Sequence, residues 1–392
     1  MDAIGTADRI AFEQGAEAAN EFVGRTGVRI YNAKQRVRAR GAGMNPAGRY
    51  ERYARVEDPA PFDGDVVPLE EMRPFKTEVT DETPRTVISK NASPDLSFDR
   101  SINPYRGCEQ GCVYCYARPT HAYVGLSAGL DFEQKIFAKQ GAADVLRREL
   151  AAKNYEPKTI ALGASTDPYQ PIEKKREITR RILEVLDEAN HPVGIVTKSA
   201  LVTRDVDILS RMAKRGLVKV AISITTLDPV LARKMEPRAP SPAQRLEAIR
   251  TLSDAGVPVS VMVAPIIPGL TDFEVERILE AAATAGASEA GYVMLRLPKE
   301  VATIFKEWLL RNCPDRYRHV LSLLRSMRGG KDYDAEFGKR HTGMGPYAWQ
   351  IGRRFEIATR RLNLNIERRK LSADAFVAPA KDSPQLALQF TA

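Results

Sequence analysis

The sequence predicts an α/β fold on a mostly parallel sheet, and three observations carry the prediction. Short, largely apolar runs recur after residue 98, at Thr159–Leu162, Val193–Thr197, Leu217–Ile224, Val257–Ala264 and Gly291–Leu295. Amphipathic helical patterns separate them. Gly and Pro punctuate the joins, as where Gly256 and Pro258 end one helical stripe and open the next run. Continuous apolar runs suit strands buried on both faces. Repeated strand–helix units of this size imply right-handed crossovers. Periodicity alone is satisfied equally by an open doubly wound sheet and by a barrel.

Taken in order, Phe12, Ala16, Ala19 and Val23 recur at helical intervals and predict a short helix within residues 1–23. Residues 24–97 are rich in Gly, Pro and charge and read as an extended arm with short local structure. Within the arm, Arg40–Tyr50 reads R-G-A-G-M-N-P-A-G-R-Y, a turn-dense basic segment. The helical stripes between strands are Ile178, Ile182, Val185, Leu186 and Ala189, then Val206, Leu209, Met212 and Ala213, then Leu246, Ile249 and Leu252. After the last run, helices are expected at Val301–Arg311, Tyr317–Arg328 and Ala348–Leu362, with Gly329–Gly330 ending the second. The tail from Ser372 is expected to be disordered. The implied organisation is an arm (1–97), a core (98–300), a helical extension (301–370) and a tail (371–392).

Composition excludes some classes. The chain is 43% hydrophobic and 28% charged, ordinary for a soluble globular protein. No apolar run approaches the ~20 residues of a membrane-spanning helix, because Val257–Leu270 is broken by Pro258, Pro265 and Pro268. Asp2, Asp8, Arg9 and Glu13 interrupt any leader pattern. A cytoplasmic location without a membrane partner is the default expectation. The net charge of +9 concentrates in the arm, where Arg25, Arg29, Lys34, Arg36, Arg38, Arg40, Arg49, Arg52 and Arg55 face Glu51 alone. Arg353, Arg354, Arg360 and Arg361 add a basic last helix. A nucleic acid is the first partner class these suggest; pairing with the acidic stretch Glu57–Glu82, or plain solvation, accounts for the arm equally well.

Chemistry concentrates in one loop. Three of the four cysteines lie in N-P-Y-R-G-C-E-Q-G-C-V-Y-C-Y-A-R-P, at Cys108, Cys112 and Cys115. Such clustering indicates metal ligation or redox chemistry. Gly107 and Gly111 let the loop curl so that three thiolates converge. Three thiolates on an iron–sulfur cubane leave one iron open to a substrate or cofactor. A structural zinc is the competing reading; it needs a fourth ligand, for which Cys313 is distant in sequence and His121 is nearer. That reading makes the chain a non-catalytic zinc or iron–sulfur nucleic-acid-binding protein. An electron-transfer protein is a third.

The spacing C-x3-C-x-aromatic-C, with Tyr114 as the aromatic, resembles the signature of the radical S-adenosylmethionine (SAM) superfamily. Ser101–Pro119, D-F-E at 131–133 and T-D-P-Y-Q-P at 166–171 resemble its spore photoproduct lyase-like (DNA repair photolyase-like) branch. The arm segment Arg40–Tyr50 is similar to that of an uncharacterised bacterial subfamily of the branch. The likeness covers about residues 38–365. It implies a partial (β/α)6 TIM-type barrel, with the cluster on the loop after the first strand, at the C-terminal end where ligands of such folds bind. A first strand at Phe98–Asn103 then completes six.

The resemblance further implies that Cys108, Cys112 and Cys115 hold a [4Fe–4S] cluster, and that SAM chelates its open iron. An electron from a donor such as flavodoxin or ferredoxin would release a 5′-deoxyadenosyl radical. For SAM it points to Ser165, Thr166 and Asp167 beside the amino group, Lys198 for the carboxylate, Ser223 and Thr225 for the ribose. Tyr114 and Ile267, in the Pro265–Gly269 turn, would shelve the adenine. The family's usual Gly-Gly-Glu is replaced here by Gly163-Ala164-Ser165-Thr166-Asp167. Glu236, Arg238, Arg245 and Arg296 are substrate-side candidates, expected first as salt-bridge partners. His121 and His341 are expected to be structural. Spore photoproduct lyase uses an additional cysteine as hydrogen donor. None follows Cys115 within the barrel, and Cys313 is expected in the core, which argues against a thymine-dimer lyase.

Overall fold

The computed structural model describes residues 40–46, 49–50 and 76–380. The helix expected within residues 1–23 and much of the basic and acidic arm lie outside the described residues. Six strands follow one another as β1 (Arg100–Ile102), β2 (Ile160–Leu162), β3 (Val193–Thr197), β4 (Val218–Ser223), β5 (Val259–Ile266) and β6 (Glu289–Met294). Each pairs in parallel with its sequence neighbour. A doubly wound sheet reverses its strand order at a switch point, whereas unbroken sequential order builds a barrel wall. The ambiguity left by periodicity is thereby resolved in favour of the partial barrel. Both edges are covered. Ile88–Lys90 lies antiparallel on β1. Beside β6, Asn365 accepts from the Ala290 N–H at 2.9 Å and donates to the Ala290 carbonyl at 3.0 Å.

The strands are apolar because the sheet is enclosed on both faces. Val193, Ile195, Val218, Val220, Ile222, Val259, Val261 and Val263 are all buried. The crossover helices are α1 (Ala142–Leu150), α2 (Ile178–Glu188), α3 (Val206–Lys214), α4 (Pro242–Asp254) and α5 (Val275–Thr284). Each lays an apolar stripe on the sheet, as α2 does with Ile182, Val185 and Leu186. Full burial of such a side chain contributes roughly 1.5–3 kcal/mol. In α3 the stripe differs from expectation: Val206, at the first turn, is half-buried, and Ile208 is enclosed instead. Ser241 and Gln244 form a capping box that starts α4. Gly256, at φ 76°, ends it, with the Val257 N–H reaching the Leu252 carbonyl.

Three further helices, α6 (Glu300–Asn312), α7 (Tyr317–Ser326) and α8 (Gly345–Arg361), follow the barrel. Ahead of it, Glu78–Glu82 pairs with Lys135–Lys139, which also pairs with Tyr105–Arg106. The sequence shows no strand signal at Glu78–Glu82 because an exposed edge strand needs no apolar face. The tail departs from the expected disorder through residue 380. The Val377 N–H donates to the Ala189 carbonyl, and the Phe376 ring lies 5.5 Å from His191.

Candidate functional site

The cysteine loop is built directly onto the end of β1. After Tyr105–Arg106 the chain turns at Gly107, φ 76°, where a Cβ would meet Ile136, His121 and the Phe132 carbonyl at about 3.0 Å or less. The Cys108 N–H donates to the Phe132 carbonyl at 2.9 Å. Gln170 clamps the same turn, accepting from the Glu109 N–H at 2.9 Å and donating to the Gly107 carbonyl at 3.3 Å. Further on, the Val113 N–H donates to Met235, and the Arg118 N–H to Cys115.

A buried ion pair backs the loop. Arg118 and Glu133 are both fully enclosed and in direct contact. Arg118 also donates to the carbonyls of Cys112, Ala128 and Gly129. The Glu133 carboxylate accepts the N–H groups of Gly41 at 2.9 Å and Ala42 at 2.8 Å, while Arg40 donates to its carbonyl. The arm segment therefore threads behind the cysteines. At Gly41 a Cβ would sit 1.8 Å from the Gly111 carbonyl oxygen. The D-F-E triplet is explained residue by residue. Asp131 accepts from the Ser127 N–H, Phe132 holds Cys108, and Glu133 holds both arm and Arg118.

Strand ends converge on this loop. Beyond β2, Asn103 Oδ1 accepts the Ser165 N–H at 2.8 Å, and Thr166 donates to the Tyr105 carbonyl. Asp167 accepts from Thr197 Oγ1 at 2.6 Å, from the Tyr169 N–H and from the Lys198 N–H. Its carboxylate thus stitches β2 to β3, while its own backbone N–H faces the Cys108 thiol. Lys198 Nζ lies 3.4 Å from the Ala264 carbonyl and 5.7 Å from the centre of the Tyr114 ring. Burial lowers its pKa, against the pull of Cys112, Asp167 and Cys115. Thr225 Oγ1 lies 2.7 Å from Glu236 and 3.1 Å from both Tyr114 Oη and the Ala264 carbonyl. Tyr114 and Arg245 also contact Glu236, whose carboxyl pKa burial pushes up.

Several sequence candidates are walls rather than open surface. Tyr114, Ser223, Thr225 and Ile267 are buried. Ala264–Pro265, joined by a cis peptide bond at the end of β5, is half-buried, while Ile267 in the turn that follows is sealed. Glu236 and Arg245 form a buried pair, and Arg238 pairs with Glu109 at 2.9 Å, as salt-bridge partners should. Arg296 instead stacks on Tyr116, 4.1 Å from the ring centre. Cys313 is half-buried against the core. The residues that sequence reasoning missed are Asn103, Arg118, Glu133 and Gln170. All lie inside the quoted segments, but nothing local showed which backbone groups they would satisfy.

The donor set suits an iron–sulfur cluster. Burial first, then the Asp167 carboxylate and the other two cysteines, raises the Cys108 pKa well above the usual thiol range. Burial and Glu236 do the same at Cys112. Neutral thiols in such surroundings become thiolates when a cationic metal centre compensates their charge. Among the described residues no three His, Cys, Asp or Glu side chains converge as a single-ion site. His121 is no fourth ligand. Its ring bonds the Lys135 carbonyl and the Asp131 backbone, and burial lowers its pKa to about 4.

Among the described residues, part of the basic charge is paired within the protein. Arg353 and Arg360 pair with Glu356, Arg354 with Glu276 and Arg49 with Glu300. Among the described residues no helix is long and apolar enough to cross a membrane.

A family model described as the radical SAM superfamily matches residues 102–282. An uncharacterised protein of Mycobacterium tuberculosis is 37% identical over 230 residues, covering 57% of this chain and 68% of that protein. An uncharacterised protein of Methanocaldococcus jannaschii is 30% identical over 220 residues, covering 56% and 78%. Among solved structures, spore photoproduct lyase complexed with dinucleoside spore photoproduct aligns with a TM-score of 0.51. It is 17% identical over 72% of this chain and 79% of that one, a likeness of fold.

Proposed function

The chain belongs to the radical SAM superfamily, and from that premise we propose that it is an enzyme whose Cys108, Cys112 and Cys115 hold a [4Fe–4S] cluster with one iron open to SAM. When bound, that pair of cofactors supplies a reductively released 5′-deoxyadenosyl radical able to take a hydrogen atom from a substrate. The observation that carries the reading is the cysteine loop, fastened on both sides and set at the C-terminal mouth of a sequentially ordered barrel.

The chain's own residues then bind, orient and exclude water. Lys198 provides the cation for the SAM carboxylate, reaching the cysteines from the end of β3. Asp167 acts by positioning, since its carboxylate is committed to Thr197, Tyr169 and Lys198. The acceptors for the SAM amino group are accordingly carbonyls of the 163–167 turn. Ser165 lies half-buried beside them, with Thr166 as support. Thr225 and Ser223 back the ribose, and Tyr114 with Ala264–Pro265 flanks the adenine above Ile267. The electron comes from a reduced flavodoxin or ferredoxin. The substrate is an organic molecule with an abstractable hydrogen. The last helix stays net basic, since Arg353 and Arg360 share Glu356, which leaves nucleic acid as one candidate substrate class.

The test is anaerobic reconstitution with iron and sulfide, then dithionite and SAM, followed by chromatography for 5′-deoxyadenosine. Product is expected from the native chain and not from a variant with all three cysteines changed to alanine. Equal amounts from both would remove the assignment.

A further inference from the structure

We propose that Arg296, with His341 beside it, is an oxyanion subsite at the barrel mouth that holds a phosphate or carboxylate group of the substrate. The inference rests on the proposed function for the word substrate. The site itself rests on geometry.

Arg296 follows β6 and reaches the cysteine loop, its guanidinium 4.1 Å above the Tyr116 ring. Tyr116 follows Cys115 directly, is 45% exposed, and donates its hydroxyl to the Ala164 carbonyl at the end of β2. The pair therefore lies across the open end of the barrel. Arg296 is half-buried and has no carboxylate partner among the described residues. Its guanidinium donates to His341 Nε2 at 3.3 Å and also bonds the Tyr116 side chain, both neutral partners.

The surroundings deepen the imbalance. Arg340 faces the same imidazole but is occupied by Asp95 and Ser93. Arg328 also faces it and is occupied by the carbonyls of Leu295 and Lys339. Asp95 and Asp334 are the carboxylates acting on this group, so three guanidiniums meet two acids. Of the three, Arg296 alone has neither a carboxylate nor a carbonyl partner among the described residues; its contacts are the His341 ring and the Tyr116 side chain. A planar guanidinium stacked on an aromatic face is pre-organised for bidentate recognition of carboxylate or phosphate. His341, whose pKa is lowered by burial and by Arg296 and Arg340, accepts from Arg296 in its neutral form, and an arriving anion would favour the protonated ring, a second donor.

The experiment follows the imidazole resonances of the full chain, with and without reconstituted cluster, in 13C-histidine-labelled protein. The chain has four histidines, and His121 and His191 serve as internal controls of folding. Inorganic phosphate and acetate are titrated separately at fixed pH. A saturable shift of His341, with His121 and His191 still, is expected from at least one of them. Phosphate alone indicates a phosphorylated substrate, and acetate alone or both equally indicates a carboxylate. R296Q should weaken the response at least about tenfold, and R296K, which keeps the charge, by less. No shift from either anion, or an R296Q titration like the native one, overturns the subsite. A response abolished by S-adenosylhomocysteine overturns its assignment to substrate, because the cofactor's own carboxylate would then occupy it. None of these results depends on SAM cleavage, so the subsite and the radical reading can fail separately.

Discussion

At the scale of single residues, the site shows how few side chains near a reactive centre are free to act. Asp167 looks available in the sequence, yet three donors occupy its carboxylate. Glu236 is enclosed by Tyr114, Thr225 and Arg245. Lys198 differs: its Nζ has one long contact, to a carbonyl, and burial makes an unpaired ammonium costly there. A carboxylate brought by SAM would relieve that cost. Lys198→Met is therefore expected to weaken SAM binding about tenfold or more, the scale of one lost charge-assisted hydrogen bond. Equilibrium dialysis of labelled SAM against the reconstituted protein checks it, and an unchanged dissociation constant would free Lys198 of the role. Residue types at Cys108, Cys112 and Cys115 were legible because thiolate chemistry admits few substitutes. Asn103 and Gln170 were not, because an amide that satisfies a backbone group 61 or 62 residues away carries no mark in its own neighbourhood.

At the scale of elements, the arm segment Arg40–Met44 is part of the cysteine loop in all but sequence position. Its amides close on Glu133, and Glu133 on Arg118, whose guanidinium holds the Cys112 carbonyl. Removing one member of a wholly buried ion pair costs about 3–5 kcal/mol. Glu133→Ala should accordingly lower the denaturation midpoint markedly and release iron, measured by urea titration and by iron and sulfide content after gel filtration. Gly41→Ala gives the finer probe, since its methyl would collide with the Gly111 carbonyl and must displace one chain or the other. It is expected to reduce cluster retention at least severalfold with a smaller loss of stability. Full iron content in this variant would show that the arm does not set the loop. The five strands from β2 to β6 and the helices α2, α3 and α4 were read from the sequence because period and burial coincide in them, whereas α1 and α5 were not singled out. The strand at Glu78–Glu82 was missed because it lies largely exposed at an edge, where pairing comes from the backbone and leaves no apolar pattern.

At the scale of the whole molecule, two histidines at opposite ends of the barrel tie stability to pH. His121 sits under the cysteine loop and His191 before β3, against Tyr155 and Phe376. Burial lowers both to about 4 in the folded chain, against 6.5 for an ordinary imidazole. Between those values the unfolded chain binds more protons than the folded one, so folding stability falls as pH drops from 6.5 toward 4. Urea midpoints at pH 7 and pH 5 should differ in that direction. His191→Gln, which removes the titrating group, should narrow the gap. Sequence alone determined the α/β class, five of the six core strands with three of the helices between them, and the clustered cysteines, because hydrophobic period and metal-ligand spacing are local properties of a chain. Only the tertiary structure decided that the sheet is a sequential partial barrel, that the arm braces the cysteines, and which polar groups at the mouth are spent and which are free. Those outcomes depend on partners distant in sequence, and a hydrogen bond or ion pair is settled only when folding brings its two halves within reach.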